Sequence, residues 1–391
     1  QLQFHALKRA FGTKVFRQNE ATGDWVVYAT ERGNRPRQTI HSVPKQRSRD
    51  TPAHDPSCPF CRGNEAQTPP TLFELPDPLD STAGAWGLRV VNNKFPAVDA
   101  ACGDGEDDDA FDYPQLTDAC TINSEIPATG RHEVLIESSR HNYLSATESL
   151  DTLALLVRAW VARSIVAAED PRVKLVMCFK NQGGTAGASL IHPHSQLIAL
   201  PLIPRQVSAQ LHTARDFYVQ HGKSAFANMA RQELDAGTRV IEQNEHFLAF
   251  VPFAAICPFE TWILPRPSYQ RANFHLITSD EEASFGKILH RCLRRIHHTL
   301  DEPNFNLLLR SGPIPNRGRS AAYRYESFYS WHCRVIPRLG AGAMAGFEFG
   351  SGIFSNANRP ENDAEVLRKA PINIFEKYSE KNKRIGSLVR E

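Results

Sequence analysis

Apolar and polar positions along this chain predict the same order of elements twice, which indicates an internal duplication. In the first copy, the pattern predicts strands over His132–Glu137 and Val173–Phe179. Between them, Ser145-Ala146-Thr147-Glu148 has the sequence of a capping box, and a helix is predicted from there to about Ala168. A last strand of this copy carries the sequence His-Pro-His-Ser-Gln from His192 onward.

The second copy repeats this order in the C-terminal part of the chain. Strands are predicted over Phe259–Leu264, Asn306–Leu309 and Trp331–Ile336. Ser279-Asp280-Glu281-Glu282 is a second candidate capping box, and it opens a helix predicted to run to about Leu300. Alignment of the two copies places Ser330 opposite His192, His332 opposite His194, and Arg334 opposite Gln196. The second copy is therefore a relative of the first that lacks its full set of polar residues.

This order of elements predicts an α+β fold of two duplicated halves, each with an antiparallel sheet covered by helices. The predicted N-terminal half spans residues 1–203 and the C-terminal half residues 204–391. Residues 202–240 are polar and helix-prone, so they are interpreted as a connector with one or two helices.

Composition narrows the classes of function. The chain has 391 residues, 41% of them apolar, which is enough for a substantial core. Its 45 basic and 43 acidic residues nearly balance, so the charge gives no reason to expect a nucleic-acid or membrane partner. No long apolar segment or signal-peptide core is seen, and the 8 cysteines are too scattered for a disulfide framework. These features predict a cytoplasmic protein with a small-molecule partner.

The His-Pro-His-Ser-Gln sequence is the strongest candidate for chemistry. In a strand, alternate side chains share a face, so His192, His194 and Gln196 are predicted to point the same way. A neutral imidazole can attack phosphorus, and a neighbouring carboxamide can donate to the phosphoryl oxygens. The alternative is a surface strand with unrelated histidines.

The loop before this strand runs from Asn181 to Ser189 and contains three glycines. Glycine lets backbone N–H groups approach anionic oxygens closely, so the loop is a candidate phosphate site with Asn181 at its start. Most glycine-containing loops are simple turns, and that alternative stays open.

Cys58 and Cys61 have the two-residue spacing that lets two thiolates reach one metal ion. The same spacing also occurs in redox pairs and by chance. From the residues alone, all three interpretations remain.

Several motifs together resemble those of the galactose-1-phosphate uridylyltransferase family, a branch of the histidine-triad superfamily that includes ADP-glucose phosphorylases. The resemblance covers about residues 15–365. Its motifs, in the family's order, are Arg32-Gly33-Asn34-Arg35-Pro36, Cys58-Pro59-Phe60-Cys61, Val91-Asn92-Asn93-Lys94-Phe95-Pro96, Gly187-Ala188-Ser189 with the His-Pro-His-Ser-Gln sequence, Pro258-Phe259-Glu260-Thr261 and Gly346-Phe347-Glu348.

The resemblance implies a role for each matching residue. His194 is expected to be the nucleophile that takes up the nucleoside monophosphate, and Gln196 to contact the α-phosphoryl group. The residues expected to bind substrate are Arg32 and Arg35 at phosphates, Asn93 and Phe95 at the base and ribose, Asn181, Gly187, Ala188 and Ser189 at the phosphoryl group, and Glu348 at the sugar.

The resemblance also implies a structural zinc ion that braces the nucleophile's strand. Its ligands are expected to be Cys58, Cys61, His141 and His192. His132 lies in the same region and is the rival of His141 for the third position.

The chain departs from its relatives at a second metal site. The connector has no cysteine, and Ser330 stands where a histidine is expected, so only His246 and His332 remain. We therefore expect one zinc ion per chain. The resemblance also implies a lysine near the sugar, but Gly342 lies at about that position. The identity of the acceptor therefore stays open.

These expectations combine into an enzyme that transfers UMP or AMP from a nucleotide sugar to a sugar 1-phosphate or phosphate through a covalent nucleotidyl-histidine. The resemblance further implies a homodimer. Two alternatives are an adenylylsulfate:phosphate adenylyltransferase and a non-catalytic nucleotide-binding regulatory protein.

Overall fold

The structure is a computed structural model that describes residues 15–28, 50–82, 84–98, 128–315, 324–339 and 345–372. The strands in these ranges are β1 (Val15–Gln18), β2 (Trp25–Tyr28), β3 (Thr71–Pro76), β4 (Trp86–Asn92), β5 (Arg131–Ile136), β6 (Leu175–Gln182), β7 (His194–Leu200), β8 (Val240–Gln243), β9 (Phe247–Phe250), β10 (Thr261–Pro265), β11 (Phe305–Arg310), β12 (His332–Pro337) and β13 (Phe354–Asn356). The helices are α1 (Leu150–Ala168), α2 (Arg205–His221), α3 (Ala225–Ala236), α4 (Ser279–Leu300), α5 (Gly346–Ser351) and α6 (Pro360–Lys369).

Ten of these strands form one antiparallel sheet with the order β3-β4-β5-β7-β6-β11-β12-β10-β9-β8. The order is symmetric about the β6–β11 pair, so each strand of the first half has a counterpart in the second. In that central pair Asn181 lies opposite Asn306. The predicted α+β fold of duplicated halves is confirmed, and the two halves share a continuous sheet. The division at residues 203 and 204 stays a prediction.

Helices α1 and α4 pack on one face of this sheet and against each other. Their apolar residues belong to the main core, which includes Trp160 from α1 and Phe285 from α4. The indole N–H of Trp160 donates to Ser195 Oγ at 3.2 Å. Because side chains alternate along β7, Ser195 faces these helices, and His194 and Gln196 face the opposite side.

The connector folds into α2 and α3, which confirms its predicted helices. They cover the opposite face of the sheet in the second half, where Phe226 of α3 is completely buried. In the first half, Asn181 and Gln196 on that same face are only half-buried. Among the described residues, the candidate chemistry therefore lies on the less buried part of this face.

Both predicted capping boxes are misplaced. Helix α1 begins four residues later than expected, since Ser149 is its N-cap and accepts from the N–H of Thr152. The hydroxyl of Ser145 instead donates to Glu137 Oε2 at 3.3 Å. Helix α4 does have a capping box, but Thr278 is its N-cap. Adjacent Ser and Thr residues satisfy the same pattern, and tertiary contacts select among them.

In the described residues, no helix is both long enough and apolar enough to cross a membrane.

Candidate active site

His194 is the first residue of β7, so His192 and Pro193 precede the strand. The prediction that the strand includes His192 is therefore wrong. Proline has no N–H with which to continue the ladder, which places the start of the regular strand after Pro193. The two imidazoles still lie on one side, because the ring of Phe60 contacts both, with centroid distances of 6.0 Å to His192 and 5.5 Å to His194.

The imidazole of His194 is oriented by a hydrogen bond to its own motif. Its Nδ1 lies 2.8 Å from the carbonyl oxygen of His192. A carbonyl oxygen only accepts, so Nδ1 carries the hydrogen and Nε2 keeps its lone pair. Burial is the main cause that lowers the pKa of His194, with the positive charge of Lys180 adding to it. The ring is therefore neutral near pH 7, as a nucleophilic imidazole must be.

The carboxamide of Gln196 lies two residues further along the same face. Its Oε1 is 2.8 Å from Nε2 of His132, which is on the neighbouring strand β5. The other ring nitrogen of His132 accepts from the N–H of Ala97 at 2.9 Å. His132 is thus engaged with Gln196 and Ala97, away from the candidate metal ligands.

The glycine-containing loop packs against Asn181. Asn181 Oδ1 accepts from Asn306 Nδ2 at 2.8 Å, and no described residue takes its amide nitrogen. Gly187 adopts a φ of 92°, which lies in the left-handed region. A Cβ at Gly187 would lie 3.7 Å from the amide nitrogen of Asn181, so the loop and this side chain are neighbours.

The backbone N–H groups of Gly187 and Ala188, which were expected to bind phosphate, form hydrogen bonds within this loop. The N–H of Gly187 donates to Gly184 O at 3.0 Å, and that of Ala188 donates to Gly183 O at 3.2 Å. Ser189 is exposed. The side chains of Asn181 and Ser189 are therefore better placed to donate to a ligand than these two amides, which would first have to break their bonds.

The structure brings Cys58, Cys61, His141 and His192 together as a buried cluster. Their ligand atoms all lie within 4.8 Å of one another. Cys61 Sγ is 3.4 Å from Nδ1 of His141 and 3.6 Å from Nδ1 of His192, and Cys58 Sγ is 3.7 Å from the latter. The buried Cys₂His₂ set can hold a metal ion.

The hydrogen bonding and burial of the two histidines in the cluster favour the neutral form that binds a metal ion. The Nε2–H of His192 donates to Ser138 O at 2.8 Å, which leaves the Nδ1 lone pair directed into the cluster. Burial lowers the pKa of His192 to about 4 and also lowers the pKa of His141. Burial raises the pKa of Cys61 to about 11, because a buried thiolate is poorly solvated. A bound cation would stabilise the thiolate and offset this effect.

The two histidines that remain of the relatives' second metal site, His246 and His332, contact aromatic rings. His332 stacks on Trp262 with centroids 4.6 Å apart, and His246 packs edge-on against Tyr269 at the same distance. Within the described ranges, only the Cys58 cluster gathers three or more potential metal ligands. The expectation of one metal per chain stays a prediction.

The remaining substrate residues are dispersed. Asn93 Nδ2 lies 3.1 Å from Nε2 of His132, which brings Asn93 to the edge of the site. Phe95 is 83% exposed. Glu348 is buried and accepts from the N–H of Ala345, so in this structure it caps its own helix α5. Arg32, Arg35 and Gly342 lie outside the described residues.

Sequence reasoning missed two buried ion pairs behind β7. Lys180 Nζ is 2.7 Å from Glu137 Oε2, and Arg163 forms two hydrogen bonds of 2.7 and 2.6 Å with Glu133. The available signal was a charged residue within a largely apolar element, such as Glu133 in β5, Arg163 in α1 and Lys180 in β6. Periodicity alone does not reveal which opposite charges meet.

Comparison with protein families gives an independent match. The family described as "Galactose-1-phosphate uridyl transferase, N-terminal domain" matches residues 6–204. An ADP-glucose phosphorylase of Arabidopsis thaliana is 31% identical over 359 residues, which is 91% of this chain and 93% of the relative. A galactose-1-phosphate uridylyltransferase of Thermotoga maritima is 25% identical, with 92% of this chain and 99% of the relative covered.

A solved structure has the same fold over nearly the whole chain. It is the crystal structure of an ADP-glucose phosphorylase from Arabidopsis thaliana with bound ADP-glucose. The two structures share a TM-score of 0.72 and 27% identity, and the match covers 92% of this chain and 100% of the other.

Proposed function

The chain belongs to the galactose-1-phosphate uridylyltransferase family, and from this premise we propose that His194 is the nucleophile of a nucleotidyl transfer. The protein is a nucleotidyltransferase that acts between a nucleotide sugar and a phosphate-bearing acceptor. The observation that carries the proposed role of His194 is the bond from its Nδ1–H to His192 O, which leaves Nε2 free beside Gln196.

In the first step, Nε2 of His194 attacks the α-phosphorus of the donor. A P–N bond forms, the P–O bond to the sugar phosphate breaks, and the sugar 1-phosphate leaves with the electron pair. The positive charge that develops on the imidazole is stabilised by the His192 carbonyl oxygen, 2.8 Å from Nδ1. The amides of Gln196 and Asn181 are the candidate donors to the phosphoryl oxygens.

In the second step, an oxygen of the acceptor phosphate attacks the same phosphorus. A new P–O bond forms, the P–N bond breaks, and the electron pair returns to Nε2. His194 regains its original state, so one residue serves both half-reactions.

We propose ADP-glucose as the donor and inorganic phosphate as the acceptor. The products are then ADP and glucose 1-phosphate. The support is the 31% identity with a relative named ADP-glucose phosphorylase, and the fold shared with a structure that holds ADP-glucose. UDP-glucose with galactose 1-phosphate is the alternative, since the relative at 25% identity is named a galactose-1-phosphate uridylyltransferase.

We propose that the metal in the buried cluster is structural zinc. Zinc–sulfur bonds of about 2.3 Å and zinc–nitrogen bonds of about 2.1 Å place tetrahedral ligands about 3.6 Å apart. The observed sulfur–nitrogen distances of 3.4, 3.6 and 3.7 Å agree with this spacing. Four protein ligands close the site, so the ion would stiffen the segment that carries His192 and His194 without activating water.

We also propose a homodimer, as the family resemblance implies. The 83% exposed Phe95 beside the site is a surface that a second copy would cover. Sedimentation equilibrium of the full chain tests this directly, and a monomer at micromolar concentration would contradict it.

The experiment for the proposed nucleophile is intact-protein mass after incubation with ADP-glucose, UDP-glucose or adenylylsulfate, with an alkaline quench that preserves the phosphoramidate. A gain of one AMP from ADP-glucose is expected. A gain of one UMP would identify UDP-glucose as the donor, and a gain of one AMP from adenylylsulfate alone would identify adenylylsulfate. With no gain and no exchange from any donor, the non-catalytic alternative would be favoured.

Two variants complete this experiment. His194→Gly removes the attacking atom and is expected to abolish both the adduct and the exchange. His332→Asn changes the corresponding residue of the second half and keeps a donor for the Ser330 carbonyl, 3.1 Å from His332 Nδ1. This control is expected to form the adduct normally, so equal losses in both variants would contradict the role of His194.

A further inference from the structure

We propose that His132 is a positioning residue that fixes the orientation of the Gln196 carboxamide for phosphoryl contact. This inference rests on the proposed function, since it names how that site is arranged. His132 was the rival metal ligand in the sequence, and it makes no contact with the metal cluster among the described residues.

The hydrogen-bond roles of the His132 ring follow from its three polar neighbours. Nε2 meets Gln196 Oε1 at 2.8 Å and the amide nitrogen of Asn93 at 3.1 Å, and of these two only the oxygen can accept a hydrogen. Ala97 N is a backbone donor 2.9 Å from Nδ1, so Nδ1 must accept and carries no hydrogen. The hydrogen of the neutral ring is then on Nε2, which is 2.8 Å from Gln196 Oε1. His132 therefore donates to the carbonyl oxygen of Gln196, and a backbone amide selects the tautomer that makes this possible.

This bond decides which end of the carboxamide faces a ligand. With Oε1 held by His132, the NH₂ group of Gln196 is directed away from β5, and no described residue takes it. His194 lies two residues earlier on the same face of β7, so the free NH₂ and the nucleophile are adjacent. A phosphoryl group bound to His194 would meet a donor at this position.

The alternative orientation would hinder the reaction. A carboxamide can rotate by half a turn with little cost when nothing distinguishes its two ends. The carbonyl oxygen would then face the phosphoryl oxygens as negative charge accumulates on them, and two acceptors repel each other. His132 prevents this because its Nε2–H bonds only to the oxygen end.

The sheet register explains why His132 can reach Gln196. His132 pairs with Ile198, and Val134 pairs with Gln196, so His132 and Gln196 are diagonal neighbours on adjacent strands. Diagonal pairs of long side chains are within contact distance on one face of a sheet. The relation comes from strand pairing and is invisible in the sequence around either residue.

A double-mutant cycle on single-turnover formation of nucleotidyl-His194 tests the proposal. His132→Ala is expected to slow the step about tenfold, as for loss of one oriented hydrogen bond. In a Gln196→Ala background the same change is expected to have almost no further effect. Equal slowing in both backgrounds would overturn the proposal, because His132 would then act independently of Gln196.

His132→Gln is the conservative variant. The amide nitrogen of glutamine can occupy the position of imidazole Nε2 and donate to Gln196 Oε1, although it loses the acceptor for Ala97. We expect it to recover most of the rate lost in His132→Ala. Recovery of the urea midpoint without recovery of the rate would indicate a purely structural role and contradict the proposal.

A second measurement separates this inference from the proposed function. In protein labelled with side-chain ¹⁵N-glutamine, the NH₂ signals of Gln196 are identified by their loss in Gln196→Ala. They are expected to shift in His132→Ala and to remain near their original positions in His132→Gln. Such shifts without an adduct from any donor would refute the proposed function and keep the positioning role, while an adduct with unchanged signals would refute the positioning role alone.

Discussion

Lys180 and Glu137 form an ion pair directly beneath the strand that carries His194. The Nζ–Oε2 distance is 2.7 Å, and the two side chains are 2% and 0% exposed. Lys180 lies on β6 and Glu137 follows β5, so the pair crosses under β7, which lies between these strands. The N–H of Glu137 also donates to the carbonyl of Pro193 at 3.1 Å. The pair thus supports the His-Pro-His segment from the helix side.

We expect Lys180→Met to destabilise the fold by about 3–5 kcal/mol, because it leaves the Glu137 carboxylate buried without its partner. Glu137 Oε1 already has no hydrogen-bond partner among the described residues. Urea unfolding followed by tryptophan fluorescence measures the change. The double variant Lys180→Met/Glu137→Leu is expected to regain much of the loss, since neither charge of this pair then remains buried.

Lys369→Ala is the matched control for this prediction. Lys369 pairs with Glu365 at 2.6 Å, but these side chains are 74% and 56% exposed. Water screens such a pair, so the urea midpoint is expected to stay unchanged. If Lys180→Met behaved in the same way, the pair under β7 would have no structural role.

Two adjacent glycines in the glycine-containing loop, Gly183 and Gly184, provide a second test. Gly183 has a φ of 80°, and a Cβ there would lie 1.9 Å from Asn304 Oδ1. A Cβ at Gly184 would meet no atom within 4 Å, and the φ of Gly184 is not positive. Gly183→Ala is expected to cost about 1–2 kcal/mol from backbone strain and to raise the KM for the donor. Gly184→Ala should be nearly neutral, and equal effects would argue against strain at Gly183.

Metal content gives a third prediction. Purified protein is expected to contain one equivalent of zinc, held by the Cys58 cluster. Cys61→Ser should lose the metal and lower the unfolding midpoint, because binding energy of a structural ion is folding energy. Cys257→Ser alters a buried cysteine outside the cluster and serves as the control for metal content. Two equivalents of zinc in the wild type would show that a second site exists.

The fourth prediction concerns stability in acid. Burial lowers the pKa of His332 to about 3, with the positive charges of Arg334 and Arg310 adding to it, while Glu260 pairs with Arg334. In the unfolded chain this imidazole binds a proton below about pH 6.5, but in the folded protein it does not. Stability that His332 contributes is therefore complete above pH 6.5 and is lost as the pH falls from 6.5 towards 3.

We therefore expect the stability of wild type to fall more than that of His332→Asn between about pH 6.5 and pH 5. The difference is about 2 kcal/mol, because one proton costs about 1.4 kcal/mol for each pH unit. Comparison of the two proteins removes the contribution of all other titrating groups. Parallel pH profiles would show that His332 takes up a proton in the folded state.

Much of the candidate site could be predicted from short motifs and from the alternation of side chains along a strand. The two-residue spacing of Cys58 and Cys61 made a metal site one of three interpretations, the family resemblance added His141 and His192, and the structure brings all four together. Strand periodicity also placed His194 and Gln196 on one face of β7. These relations depend on neighbours in sequence or on motifs, which is why they could be predicted.

Other relations depend on which strands are adjacent. The sequence offered both His132 and His141 as candidates for the metal, and only the pairing of β5 with β7 places His132 at Gln196. Phe226 packs over His332 with ring centroids 5.3 Å apart, and this contact depends on how the connector helices pack on the sheet. Neither relation leaves a periodic signal.

The pairing of β6 with β11 makes the two halves mutually dependent. Residues 1–203 alone would end the sheet at β6, with a row of unpaired N–H and C=O groups along a partly apolar edge. Such an edge recruits another strand, and a second copy of the same fragment offers an antiparallel partner with matching twist. A truncated first half would thus tend to assemble as a symmetric pair with two copies of His194. The fused chain has one His194, and its second half covers the β6 edge within the same chain.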